Sequence, residues 1–331
     1  MRIGIIGAGT WGMALARMLS NSGHGVHVWS PHPGTVDRLA ATRTQKNLPD
    51  MIIPNAVRFT KEMGEVCKDK EMLVFAVPSV YVRSAARQAN PFIREGQIIV
   101  DVSKGIEAET LMTLSEVIRD EVKADVKVVA LSGPTHAEEV ARDLPGAIVS
   151  ACGDMAAAEI VQDVFMNSCL RVYTNTDVKG VELCGALKNI IALAAGMSAG
   201  LGYGDNAKAA LITRGLAEMG RLGEKLGCAR DTFAGLAGMG DLIVTATSMH
   251  SRNNRCGYLI GQGYETKDAV KRVGMVVEGI NAIPAAIALA DKYEVDMPIV
   301  RAVDAIVNHN ADPRAVVARL MERDKTAERK E

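Results

Sequence analysis

What most constrains this chain is the order of four patterns at its N-terminal end. Residues 1–6 (MRIGII) are a short apolar run and the loop Gly7-Ala8-Gly9-Thr10-Trp11-Gly12 follows directly. A helical pattern then continues to Gly23, and a second apolar run occupies 26–29. A G-x-G-x-x-G loop alone says little. Framed by strand, helix and second strand within about 30 residues, it has the context in which glycine loops bind a dinucleotide. Gly7 then makes the tight turn, Gly9 lets a pyrophosphate reach the backbone, and Gly12 lets helix pack on strand. The first free amides of the helix hold the phosphate charge.

The other apolar runs extend this reading. Residues 72–77, 98–102 and 128–131 are brief, rich in Val and Ile, and apolar almost throughout. Strands covered on both faces read this way, so the sheet is expected to be parallel with helices on either side. Segments 147–150 and 170–173 extend it. After a polar turn at 174–177 the pattern becomes helix after helix, at 180–195, 207–226, 252–260, 279–292 and 315–322. The expected fold is α/β: an N-terminal Rossmann-type, mostly parallel sheet domain over 1–178, then an all-α domain over 179–331. A length of 331 residues suits two such domains. The terminal MERDKTAERKE reads as a charged helix end or frayed tail.

Composition excludes several classes. A formal net charge of -1 with 4% aromatics leaves no basic footprint or stacking surface for nucleic acid. Cys67, Cys152, Cys169, Cys184, Cys228 and Cys256 never fall at C-x-x-C or zinc-site spacing, so no metal site is expected. They read as reduced thiols of a cytoplasmic protein. Arg17 interrupts the N-terminal apolar stretch, against a signal peptide, and Lys188 interrupts 182–205, against a membrane span.

An acid at the end of the second strand would bond the ribose 2'-hydroxyl of NAD. Here that strand ends Trp29-Ser30-Pro31-His32, and no acid follows until Asp37. The missing carboxylate removes repulsion against a 2'-phosphate, so the cofactor is NADP or NAD, with a lean toward NADP.

Ligands of such sheets bind outside the carboxyl ends of the strands. Three loops there combine small residues with turn formers: Val77-Pro78-Ser79, Ser103-Lys104-Gly105 and Ser132-Gly133-Pro134-Thr135. In residues 183–196, apolar side chains surround Lys188 on every helical face. Burial lowers a lysine pKa toward the working range of a general acid or base. Asp241, in GLAGMGDLIVT, is the candidate partner. Ser251 reads as an N-cap, so that Arg252 and the free amides behind it form an anion site suited to a phosphate monoester.

These motifs can be placed. GAGTWG, VSKGIE (102–107), SGPTHAEEVA (132–141), GALKN (185–189), ALITRGLAEM (210–219), GMGDLIVT (238–245), SRNNR (251–255) and VVEG (276–279) occur together in this order. They closely resemble the bacterial-type NAD(P)-dependent sn-glycerol-3-phosphate dehydrogenase family. The resemblance implies reversible reduction of dihydroxyacetone phosphate by NAD(P)H, giving sn-glycerol 3-phosphate for phospholipid synthesis. It implies Lys188 as proton donor and acceptor; what the reaction needs then gives Lys104 the polarisation of the substrate and Asp241 the orientation of Lys188. Substrate contacts carried over are Lys104, Gly133, Thr135, Lys188, Asn189, Asp241, Ser251, Arg252 and Asn253. Besides Gly7, Gly9 and Gly12, Thr10, Trp11, Lys104, Ala137, Arg252, Val276 and Glu278 match cofactor contacts. Asn254, Ala246 and Cys256 depart from the family pattern beside the matched positions.

Three alternatives set limits. Gly196-Met197-Ser198-Ala199-Gly200 formally matches the G-x-S-x-G of serine hydrolases, which requires a strand before the serine and a helix after it. A non-catalytic dinucleotide sensor would share the fold without oxidising NAD(P)H on addition of dihydroxyacetone phosphate, and a carboxylate-handling reductase of the same plan would not need the SRNNR anion site. The expected partners are a small-molecule substrate and, from the apolar helical half, a second copy in a homodimer, with no nucleic acid and no membrane insertion.

Overall fold

The computed structural model describes residues 1–325, 327 and 328. The end of the charged tail, with residue 326 and residues 329–331, lies outside them. The strands are β1 (Arg2–Ile6), β2 (Gly25–Trp29), a small hairpin of β3 (Thr44–Gln45) and β4 (Leu48–Ile52), and β5 (Arg58–Thr60). They continue with β6 (Met72–Phe75), β7 (Ile98–Asp101), β8 (Lys127–Ser132), β9 (Gly146–Ala151) and β10 (Leu170–Asn175). All but the hairpin form one sheet in the order β10-β9-β8-β7-β6-β1-β2-β5. Every pairing in it is parallel except β8 with β9. The sequence reading did not foresee β5 or the hairpin: β5 is three residues on an edge with a single apolar side chain, too short to show a pattern.

Helices α1 (Thr10–Asn21), α2 (Pro33–Thr42), α3 (Met63–Cys67), α4 (Val82–Ala89), α5 (Leu114–Glu121), α6 (Ala137–Val140) and α7 (Met155–Phe165) alternate with the strands. Because successive strand side chains point to opposite faces, the sheet divides its apolar residues between two layers. Ile3, Ile5, Val74 and Val100 meet α1 and α7 on one face. Ile6, Leu73, Phe75 and Ile99 meet α3, α4 and α5 on the other. β1 lies between β2 and β6, so the strand order reverses there and opens a crevice at the carboxyl ends of β1 and β6.

From Val178 the chain is helical: α8 (Val178–Gly200), α9 (Asp205–Lys225), α10 (Arg230–Ala234), a π-helical turn (Leu236–Gly240), α11 (Asp241–Thr247), α12 (Arg252–Gly261), α13 (Thr266–Val273), α14 (Glu278–Lys292), α15 (Pro298–His309) and α16 (Pro313–Met321). A helix apolar on all sides must be buried. α8 is such a helix, packed among α9, α11, α12, α14 and α15. Among the described residues it is the one helix long and apolar enough to cross a membrane, and 89% of its apolar window is buried inside the protein.

α8 and α12 touch backbone to backbone. A Cβ at Gly196 or Gly200 would stand 2.0 or 2.2 Å from a carbonyl oxygen of α12, and one at Gly257 or Gly261 would meet α8 as closely. This spacing explains the G-x-S-x-G match: both glycines are contact points inside α8 and Ser198 is buried. No strand precedes the serine, so the hydrolase alternative is overturned.

Candidate active site

The glycine loop has the form that a dinucleotide requires. Gly7 sits at φ 122°, which favours glycine, and a Cβ there would lie 2.5 Å from the Ala76 carbonyl oxygen. Gly9 has open space where a Cβ would project, whereas a Cβ on Gly12 would strike the Gly7 carbonyl oxygen. α1 starts at Thr10 with no side chain capping it, so its first amides are free for phosphate oxygens. Thr10 Oγ1 accepts a hydrogen bond from Asn47 Nδ2 at 2.9 Å, a contact from the β3–β4 turn that no local pattern announces. Trp11 is half-buried beside it. At the end of β2, Ser30 is buried and its Oγ accepts the His32 N–H, while His32 is exposed. Asp37, the first acid beyond, is paired with Lys61 at 2.7 Å. The cradle thus fits a dinucleotide, and no carboxylate stands at the end of β2.

The chemistry-bearing side chains converge from three distant segments. Lys188, on the buried face of α8, donates to Asp241 Oδ1 at 2.9 Å and to Thr245 Oγ1 at 2.6 Å. Lys104, in the loop after β7, donates to Asp241 Oδ2 at 2.5 Å and to the Gly133 carbonyl at 3.1 Å. Asp241 opens α11 immediately after the π-helical turn and is 2% exposed. The sequence paired Asp241 with Lys188 alone; the fold makes it a carboxylate shared by two ammoniums. Burial pushes its pKa up, but Lys104 and Lys188 outweigh that and hold it below the usual range. Burial pulls Lys188 down to about 8 against the pull of Asp241, and the charges of Lys104 and Arg252 act in the same direction as burial. Thr245 was missed, although its place one helical turn after Asp241 put it on the same face.

Beside this group stands the N-terminus of α12. Ser251 caps it, its Oγ accepting the Asn254 N–H at 3.1 Å. Arg252 is half-buried and makes no side-chain hydrogen bond or salt bridge among the described residues, so its guanidinium is uncommitted. Asn253 is engaged internally: Nδ2 donates to Asn189 Oδ1 at 2.9 Å, and Oδ1 accepts the Gly279 N–H at 2.8 Å. It ties α12 to α8 and α14 by its side chain and leaves its backbone for a ligand. Asn254, where the family commonly carries a basic residue, is buried with Nδ2 on the Ala246 carbonyl.

Gly133 packs on β9, where a Cβ would lie 2.9 Å from Ile148 Cα. Thr135 Oγ1 bonds back to the Gly133 carbonyl at 3.2 Å, and Ala137 opens α6. Val276 precedes α14 and Glu278 opens it. The Glu278 carboxylate accepts from Ser79 N at 3.1 Å and Ser79 Oγ at 2.5 Å, joining the helical half to the loop after β6. That link escaped the sequence reading, since nothing in a chain announces a contact 199 positions apart.

Family models cover nearly the whole chain: the N-terminus of NAD-dependent glycerol-3-phosphate dehydrogenase matches residues 2–158, and its C-terminus matches 177–318. The chain belongs to the glycerol-3-phosphate dehydrogenase family. A glycerol-3-phosphate dehydrogenase [NAD(P)+] of Lactobacillus delbrueckii subsp. bulgaricus is 66% identical over 332 residues, covering 99% of this chain and 98% of its own. The Bacillus subtilis enzyme of that description is 47% identical over 330 residues, covering 99% and 96%. A crystal structure of the glycerol-3-phosphate dehydrogenase of Coxiella burnetii superposes with a TM-score of 0.94 at 37% identity, covering 97% of this chain and 99% of that one. The protein is therefore an oxidoreductase with a Rossmann-type domain that uses NAD(P), as the sequence motifs implied.

Proposed function

We propose that the enzyme reduces dihydroxyacetone phosphate to sn-glycerol 3-phosphate, with Lys188 delivering the proton, and so supplies glycerophospholipid synthesis. The observation that carries this reading is the buried carboxylate of Asp241 shared by Lys104 and Lys188 beside the uncommitted guanidinium of Arg252. A ketone becoming an alcohol needs one proton at its oxygen. Lys188, with a pKa of about 8, is protonated at neutral pH and gives that proton up more readily than an exposed lysine. Lys104 polarises the same oxygen, and Asp241 keeps both ammoniums fixed without neutralising either. The nicotinamide ring, when bound, supplies the hydride. Arg252, with the amides at the start of α12, holds the phosphate away from the reacting carbon. Gly133 and Thr135 line the same cleft. Gly7 to Gly12 would hold the cofactor's pyrophosphate, with Ala137, Val276 and Glu278 as further contacts.

The same reading assigns residues 1–178 to the cofactor domain and 179–331 to the substrate domain. It places the enzyme in the cytoplasm, where its buried thiols stay reduced. It favours NADPH over NADH because β2 ends without an acid. A homodimer is part of the proposal; a monomer by light scattering at working concentrations would retire that part. The test of the whole is loss of NADPH absorbance on adding dihydroxyacetone phosphate, with NADH run in parallel. Lys188→Ala is expected to lower kcat by ~10²-fold or more. A Lys188→Ala enzyme with wild-type kcat would overturn the proton assignment, and a strong NADH preference would overturn the NADPH lean.

A further inference from the structure

Among the buried acids outside the residues that meet the ligands, Asp101 stands nearest in the chain to Lys104. Asp101 ends β7 and is 2% exposed. Its Oδ1 accepts the Ser103 N–H at 3.0 Å, while Oδ2 is buried without a hydrogen-bond partner. Ser103 Oγ donates onward to the Val77 carbonyl at 2.9 Å. On the far side of the turn, Glu107 grips Arg83 through two bonds of 2.7 Å. The short segment that carries Lys104 is thus pinned before and after the lysine. The charged group facing Asp101 is Glu182 of α8, whose carboxylate is committed to Ser115 N and Oγ at 2.8 and 2.5 Å. Burial first, and then the charge of Glu182, raise Asp101 well above the ordinary carboxyl range. In either protonation state the carboxyl offers Oδ1 to the Ser103 amide.

We propose that Asp101 is a positioning residue: its carboxyl holds the Ser103 turn, the turn delivers Lys104 to Asp241, and Lys104 so placed competes with Lys188 for that carboxylate. This rests on Lys188 being the proton carrier. Lys188 is faced by Asp241 and Thr245 from α11, Lys104 from the loop after β7, Arg252 from α12, and His136 from the segment before α6. When Asp101 is truncated, the turn loosens and Lys104 leaves Asp241. Lys188 then loses a repelling cation and keeps the carboxylate to itself, so it holds its proton to higher pH.

The experiment measures kcat and KM against pH for ketone reduction by wild type, Asp101→Ala, Asp101→Asn and Lys188→Ala. Reduction requires protonated Lys188, so the alkaline limb follows its pKa. In Asp101→Ala, kcat is expected to fall by up to ~10²-fold, the scale of a misplaced catalytic group. The limb is expected to move up by about half a unit to one unit. Asp101→Asn keeps the Oδ1 acceptor and is expected to restore both, with a melting temperature no lower than wild type. A uniform fall in kcat with the limb in place would reduce Asp101 to a packing role and overturn the proposal. So would an Asn variant that fails to rescue or is destabilised, even if the Ala chain did not fold. If Lys188→Ala keeps wild-type kcat, the proton assignment fails and the proposal with it. If Lys188→Ala is inactive while Asp101→Ala matches wild type, only the proposal fails.

Discussion

Asp241→Asn tests the shared carboxylate most directly. The substitution preserves shape and leaves both lysine ammoniums without the charge they flank at 2.5 and 2.9 Å. Removing one partner of a buried ion pair costs ~3–5 kcal/mol if the remaining charge stays. Lys188 has a cheaper course, which is to release its proton. An opposite charge at this range shifts a pKa by ~1–3 units, so the loss moves Lys188 down by that amount from about 8. Taking the middle of that range, Lys188 goes from about nine-tenths protonated at pH 7 to about one-tenth, a tenfold loss of the acid form. The sign follows from the chemistry: the acid is present below its pKa and lost above it. Ketone reduction by Asp241→Asn should therefore be impaired at neutral pH and recover toward pH 5. The assay is initial NADPH consumption at saturating dihydroxyacetone phosphate across pH 5 to 9, for wild type and variant. If the variant's profile is the wild-type curve scaled by a constant, Asp241 does not set the proton affinity of Lys188 and the electrostatic account is wrong.

Three further outcomes follow from other parts of the molecule. Arg252→Ala removes a charge-assisted phosphate contact worth ~1.5–3 kcal/mol, so KM for dihydroxyacetone phosphate should rise ~10- to 100-fold with kcat less affected. Steady-state kinetics showing an unchanged KM would remove Arg252 from the phosphate site. Gly257→Ala puts a Cβ 2.0 Å from the Leu193 carbonyl oxygen. It should cost ~1–3 kcal/mol through overpacking, seen as a lower melting temperature, whereas an unshifted melt would mean that the α8–α12 contact yields freely. Glu218, buried on α9, accepts the Ile299 and Val300 amides at the start of α15 at 2.8 and 3.3 Å. Burial raises it from an ordinary 4.5 to about 7. Its folded state holds a proton that the unfolded chain has released, so stability is greatest below about 4.5 and is lost as pH rises through about 7, by up to ~3 kcal/mol. Glu218→Gln should flatten that slope in melts taken across the interval; an unchanged slope would mean that Glu218 titrates normally.

The sequence by itself determined the fold class and the order of its elements. Its signals are local: apolar runs without alternation, a glycine loop between strand and helix, and a serine positioned to cap α12. The same locality found Lys188, since an ammonium ringed by apolar residues on one helix shows in a single stretch of chain. Tertiary structure decided what that lysine faces. Asp241 arrives 53 positions away and Lys104 arrives 137 positions from Asp241, and only the packing of α11 and the β7 loop against α8 shows that one carboxylate serves two cations. Nor could a pattern reveal that Asn253 spends its side chain on α8 and α14, that Glu278 bonds Ser79 across the cleft, or that β5 closes the sheet edge. Periodicity reports which face of an element is apolar. Which polar groups meet inside is set by long-range packing, where the cost of burying an unpaired charge selects partners that have no neighbourhood in sequence.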